Sequence, residues 1–118
     1  MSDVGDRDRL RVSAMIQAAE EVRRDSAGGK TAFLQPGLAQ KAVLLDLIHL
    51  TESAEKTSAS LKKLNPNLPW EKLSRMRNHG LVHEYGEVDL EELWNFVRDD
   101  LPRLRATLER LKYTSKSQ

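Results

Sequence analysis

A chain of 118 residues, 39% apolar and 31% charged, is one domain's length and can fold around a single core without staples. It contains no cysteine, which excludes disulfides, thiolate metal sites and cysteine nucleophiles. Lys and Arg number 19 against 18 Asp and Glu, for a net charge of +1, so no whole-surface nucleic-acid coat is expected. The longest unbroken apolar run, Ala42 to Leu45, is far too short to span a membrane. Asp3, Asp6, Arg7, Asp8 and Arg9 exclude an apolar signal segment at the N-terminus. These features predict a soluble, cytoplasmic protein with residues 1–118 as a single domain.

Apolar residues recur at helical period throughout, and no stretch alternates as a strand would. The spacing predicts a first helix from about Asp6 to Asp25, with Leu10, Ala14, Ala18 and Val22 four apart beside Met15 and Ala19. Asp25 to Gly29 breaks it, and Phe33, Leu34, Pro36 and Gly37 form a connector whose two large side chains plug one end of the core. A long second helix, about Leu38 to Leu64, carries the seam Val43, Leu47, Leu50, Ala54, Thr57, Leu61 and Leu64. Asn65-Pro66-Asn67-Leu68-Pro69 stops it, and Pro69 opens a third helix at its first position. Gly86 breaks the chain again, and Asp89 with Glu92 three residues on resembles a capping box. The last stretch aligns Leu90, Leu93, Trp94, Val97, Leu101, Leu104, Leu108 and Leu111. Pro102 inside it predicts a kink, or two abutting helices capped by Asp99 or Asp100, and the tail from Thr114 to Gln118 is expected to fray. The fold class is therefore all-α, an up-and-down bundle of four to five helices. Any apolar stripe left over would seek a partner.

Two motif resemblances fail. Gly29-Lys30-Thr31 has the end of a phosphate-binding loop, but Arg24 stands where its first glycine belongs. His83-Glu84-Tyr85-Gly86-Glu87 begins like a zinc-protease helix, but Glu87 replaces the second histidine. His79 and His83, four apart, lack an evident third ligand, so no metal site is expected. The basic stretch Lys62, Lys63, Lys72, Arg75 and Arg77, set against Glu71 alone, suits a small anionic partner or an ordinary solvated helix face.

Arg77-Asn78-His79-Gly80-Leu81-Val82-His83-Glu84-Tyr85 has the residues for phosphodiester chemistry without a metal. An imidazole can take a proton from a ribose 2′-hydroxyl or return one to the leaving 5′-oxygen. A guanidinium can hold the charge that builds on the phosphorane oxygens. Residue types alone leave the matter open, because Arg77 and His83 also suit the solvated end of a helix and Tyr85 a half-buried packing position.

The run Pro69-Trp70-Glu71-Lys72-Leu73-Ser74-Arg75-Met76-Arg77-Asn78, then Leu81 to Tyr85, Val88-Asp89 and Trp94, closely resembles the HepT-like branch of the HEPN superfamily. The hallmark of that branch is Arg-Asn, a short gap, His, and Tyr two residues later, matched by Arg77-Asn78, His83 and Tyr85. The likeness extends back through Ile48 to Ala54 and forward to Asp99-Asp100-Leu101-Pro102. It implies a HEPN-like all-α endoribonuclease toxin that dimerises and cuts RNA (tRNA or mRNA) with no cofactor. It further implies a minimal nucleotidyltransferase antitoxin that moves AMP from ATP to the motif tyrosine. By position, Arg77 and His83 would be catalytic, Asn78 supporting and Tyr85 the AMP acceptor, with Arg75 and His79 as further candidates for holding RNA phosphate. Two departures stand out. Thr51-Glu52-Ser53-Ala54 lacks the family's glycine, and five residues separate Arg77 from His83 where four are commonest. Six steps of straight helix leave the two side chains about 120° apart. A π-bulge or break near Gly80, or pairing across a dimer, would accommodate the extra residue. The alternative function is a non-catalytic subunit that binds nucleotide or presents a substrate to a nucleotidyltransferase.

Overall fold

The computed structural model describes residues 3–81 and 88–111. Helix α1 spans Asp3–Asp25, α2 Lys30–Leu34, α3 Leu38–Glu55, α4 Ala59–Leu64 and α5 Trp70–Arg75. Helix α5 continues without a break into a π-helical segment, Met76–Leu81. Helix α6, Leu90–Asn95, likewise passes through a π-helical segment, Phe96–Asp100, into α7, Leu101–Glu109. The all-α bundle expected from the sequence is what forms. Helix α1 packs against α3 and α7, α3 also packs against α5, and α2 bridges α3 and α6. No described helix is long and apolar enough to cross a membrane.

The core takes its seam from α3 and α4 much as the spacing predicts, with Val43, Leu47, Leu50, Ala54, Thr57 and Leu61 buried. The predicted single helix over Leu38 to Leu64 is nevertheless two. Lys56 to Ser58 interrupt it, because Ser58 finds better partners outside the helix. Its Oγ accepts from Leu61 N at 3.1 Å, capping α4. Its backbone N and its Oγ donate to the carboxylate of Asp8 on α1, at 3.0 and 2.6 Å. Asp8 is itself buried, so this contact bolts the start of α1 to the break. Local side-chain hydrogen bonding of this kind competes directly with continued helix.

In α1 the buried stripe is Val12, Met15, Ala18, Ala19 and Val22, while Leu10 is 69% exposed and Ala14 also faces solvent. A strict four-residue spacing drifts by about 40° per step. The series beginning at Leu10 therefore starts off the core face and reaches it only at Ala18 and Val22, whereas mixed steps of three and four hold it from Val12 onward. The connector is partly helical: Phe33 of α2 is buried 5.7 Å from the ring of Trp94, and its carbonyl accepts from Gln40 Nε2 at 3.1 Å. Pro69 occupies the N-cap of α5, one residue earlier than predicted. Asp89 caps α6 as its spacing with Glu92 predicts, accepting from Glu92 N at 3.0 Å.

Pro102 acts by opening the helix ahead of it, since it cannot donate to the carbonyl four residues back. The π-helical turns of Phe96–Asp100 take up the misfit, so no free cap is required there. Neither aspartate caps α7 with its side chain. Asp99 instead pairs with Arg98 at 2.8 Å, and Asp100 accepts from Lys72 and Arg103. The expected break at Gly86 and the polar tail from Thr114 lie outside the described residues.

One buried carboxyl opposes the packing of α1 on α3. Asp46 is 7% exposed, and its Oδ2 has no hydrogen-bond partner. Burial pushes its pKa up to about 7, aided by a shared hydrogen bond with Asp25 and by the charges of Asp25 and Glu21. Arg24 offsets this only in part. The folded chain therefore holds a proton that the unfolded chain releases near the ordinary carboxylate range. The resulting stabilisation is full below the unfolded pKa and is lost as pH rises towards about 7. Asp46→Asn should raise Tm at pH 8 by several degrees and flatten its decline between pH 5 and pH 8, as thermal melts at both pH values will show.

Candidate functional site

Trp70 fixes the start of the motif helix by donating its indole N–H to the Asn65 carbonyl at 2.8 Å, and Lys62 lies 5.9 Å above its ring. From there α5 must send both Leu73 and Leu81 into the core; the first is fully buried and the second 9% exposed. Eight residues of straight α-helix would leave the two side chains about 80° apart. An i→i+5 turn takes up one residue, making the step equivalent to seven and bringing the leucines within about 20° of one face. The π-helical segment Met76–Leu81 is that turn, and the residues it contains are Met76, Arg77, Asn78, His79, Gly80 and Leu81.

Core packing and the motif are thus settled by the same turn. Arg77 lies near its start, half-buried, and Asn78 beside it is exposed. Among the described residues no carboxylate pairs with Arg77, which leaves its guanidinium donors available to an anion. Arg75, one turn earlier than Asn78, is mostly exposed and held loosely by Glu71 at 3.7 Å. The side chain of His79, together with His83 and Tyr85, lies outside the described residues. The π-helical turn Met76–Leu81 is the feature near Gly80 that the sequence offered as one way to absorb a longer gap, and it lies at the Arg77 end of that gap.

The helix carrying α6 and α7 obeys the same rule. Leu93 and Leu101 are also eight apart and both buried, with Phe96–Asp100 as the intervening π-helical turns. Those turns face α5. Lys72 Nζ donates to Asp100 Oδ2 at 2.5 Å and sits 5.6 Å from the Phe96 ring centroid. Arg103 donates to Asp100 Oδ1 at 3.3 Å. Sequence reasoning placed Lys72 in a basic stretch but had no signal for Asp100 or Arg103, because the Lys72–Asp100 contact joins residues 28 apart. Among the described residues no three His, Cys, Asp or Glu side chains are gathered to hold a metal ion.

The family model for HepT-like ribonucleases ("Ribonuclease HepT-like") matches residues 15–111. The chain is 35% identical to a "Probable ribonuclease HepT" from Thermococcus cleftensis over 101 residues, which covers 86% of this chain and 89% of that protein. Two Methanocaldococcus jannaschii proteins, whose names mark them as candidate RNases, are 27% and 24% identical. The matches cover 65% and 67% of this chain, and 70% and 67% of the relatives. No solved structure matches the chain significantly.

Deleting Gly80 should convert the π-helical turn into plain α-helix and keep both leucines buried. Its Tm should stay within a few degrees of wild type. Deleting Ser13 from α1 should instead swing Val12 away from Met15 by about 100° and abolish cooperative melting. Thermal denaturation of the two deletion variants separates these outcomes.

Proposed function

The chain belongs to the HepT-like ribonuclease family, and we propose that it is a metal-independent endoribonuclease toxin, active as a homodimer in the cytoplasm. The observation that carries this reading is Arg77, half-buried on a π-helical turn and without a carboxylate partner among the described residues. A guanidinium so placed suits the charge that develops on a phosphorane. His83 takes the proton from a ribose 2′-hydroxyl as the 2′-oxygen bonds to phosphorus and the bond to the 5′-oxygen breaks. An imidazole, of the same or the partner protomer, returns a proton to that leaving oxygen. The products are a 2′,3′-cyclic phosphate and a 5′-hydroxyl. Asn78 supports the phosphate or the histidine, and Arg75 and His79 are candidate contacts to flanking RNA phosphates, in tRNA or mRNA. Exposed Leu10, Leu38 and Leu45 are consistent with a partner surface.

Regulation in this reading falls to a minimal nucleotidyltransferase antitoxin using ATP. The Tyr85 hydroxyl attacks the α-phosphorus, its proton is lost and pyrophosphate leaves, so that AMP comes to lie beside His83. The added phosphate and base occupy the RNA site and repel a substrate phosphate. The alternative, a non-catalytic nucleotide-binding or substrate-presenting subunit, drew its support from the long gap between Arg77 and His83. The π-helical turn next to Arg77 favours the catalytic reading, since such a turn can take up one residue.

Purified protein whose intact mass shows no AMP should cleave a mixed RNA pool in the presence of chelator. Arg77→Ala and His83→Ala should each lower the rate by at least about 100-fold while the dimer persists. Tyr85→Phe should retain cleavage and accept no AMP from the antitoxin. An inert but unmodified wild-type dimer whose Tm rises with ATP would instead establish the subunit reading.

A further inference from the structure

A groove of about 490 Å³ is lined by the start of α5 and one face of α7. Its polar side consists of Asn67, Lys72, Asp100, Arg103 and Thr107, over an apolar floor that includes Leu68 and Leu104. Lys72 and Arg103 share the one carboxylate of Asp100, at 2.5 and 3.3 Å. Two cations against one anion leave a net positive charge, and Arg103 uses few of its donors, its side chain being 79% exposed. Phe96 and Asp100, which hold Lys72 between them, are the first and last residues of the second π-helical segment. The opened helix thus contacts this cation from both of its ends, and π-helical turns are frequent at functional sites. A second groove, between α1 and α3, is about 440 Å³ and sets Arg11 and Lys56 against Glu21 and Glu52, leaving no excess of charge while His49 is neutral.

Lys72 and Arg77 lie on one continuous helix, five residues apart, a step that advances about 7 Å along its axis but turns by about 140°, so the two cations leave it on different sides. A strand that engages both cations must therefore pass around the helix. We propose that the Lys72–Arg103 groove is a second phosphate subsite, holding RNA backbone on a different side of α5 from Arg77, with Asp100 as a displaceable counterion. This inference rests on the ribonuclease reading and extends it. Without RNA, Asp100 keeps the two cations gathered. When the strand enters, phosphate oxygens replace the carboxylate, and Asn67 and Thr107 offer neutral hydrogen bonds to phosphate or sugar. The contacts are to backbone alone, so the subsite strengthens binding without selecting a sequence.

The test is the affinity of the full-length protein for a short, fluorescent 2′-O-methyl oligoribonucleotide, which cannot be cleaved, measured by anisotropy across a salt series. Lys72→Ala and Arg103→Ala should each weaken binding several-fold and reduce the slope of log affinity against log salt by about 0.7. Lys72→Arg should preserve both. Asp100→Asn should tighten binding, because it frees the cations, whereas a merely structural ion pair would make it weaken binding as Lys72→Ala does. On cleavable RNA the two alanine variants should raise KM and leave kcat unchanged. Arg103 and Asp100 keep the test valid even if Lys72→Ala folds poorly. Wild-type affinity in both alanine variants, or weaker binding by Asp100→Asn, overturns the subsite while wild-type cleavage leaves the ribonuclease reading standing. A wild type that neither binds nor cleaves RNA overturns both.

Discussion

Leu73 and Leu81 must both reach the core from one helix, and eight residues of straight α-helix cannot deliver both. Losing either side chain from the interior would cost several kcal/mol. The helix instead opens into a π-helical turn, so the backbone yields and both side chains stay buried. The turn falls on Arg77 and Asn78, and its geometry is therefore set by packing on the far side of the helix. In this way a constraint on two leucines becomes a constraint on where a guanidinium can act. The gap between Arg77 and His83 is one residue longer than the commonest in the family, and the turn lies at the Arg77 end of that gap.

The facing helix meets the same arithmetic through a different cause. Pro102 has no amide to donate, and the turns before it open into Phe96–Asp100. Both ends of that opened segment touch Lys72, so the irregular parts of two helices converge on one cation. Elsewhere the bundle is held by more ordinary devices. Asp8 is bolted to Ser58, Glu20 on α1 reaches Arg105 on α7 at 3.0 Å, and Lys30 reaches Glu91 at 3.0 Å. Asp46, by contrast, opposes stability at neutral pH, which marks the contact of α1 with α3 as the pH-sensitive seam of the fold.

Much of this was legible in the sequence because it is local. The all-α class, the seam along Val43 to Leu61 and the Asp89 cap follow from spacings within a few turns. The family, too, could be read from one short run around Arg77 and His83. Other features were hidden because they join residues far apart in the chain. The break at Ser58 depends on Asp8, 50 residues away, and the anchoring of Lys72 depends on Asp100, 28 residues away. The stripe of α1 was legible at Met15, Ala18, Ala19 and Val22 but not at its start, where strict four-residue spacing pointed to Leu10 and Ala14 and the core takes Val12 instead. Among the proposed site residues, Arg77 and Asn78 are placed by the π-helical turn, whereas His83 and Tyr85 lie beyond the described residues.

We propose that the turn takes up the residue by which the gap from Arg77 to His83 exceeds the commonest length. Single-turnover RNA cleavage by the Gly80 deletion, beside wild type and His83→Ala, tests it most directly. A rate within a few-fold of wild type is the predicted result, since deletion leaves the four-residue gap on plain α-helix. A rate as low as that of His83→Ala, in a deletion variant that still folds and dimerises, would contradict the account.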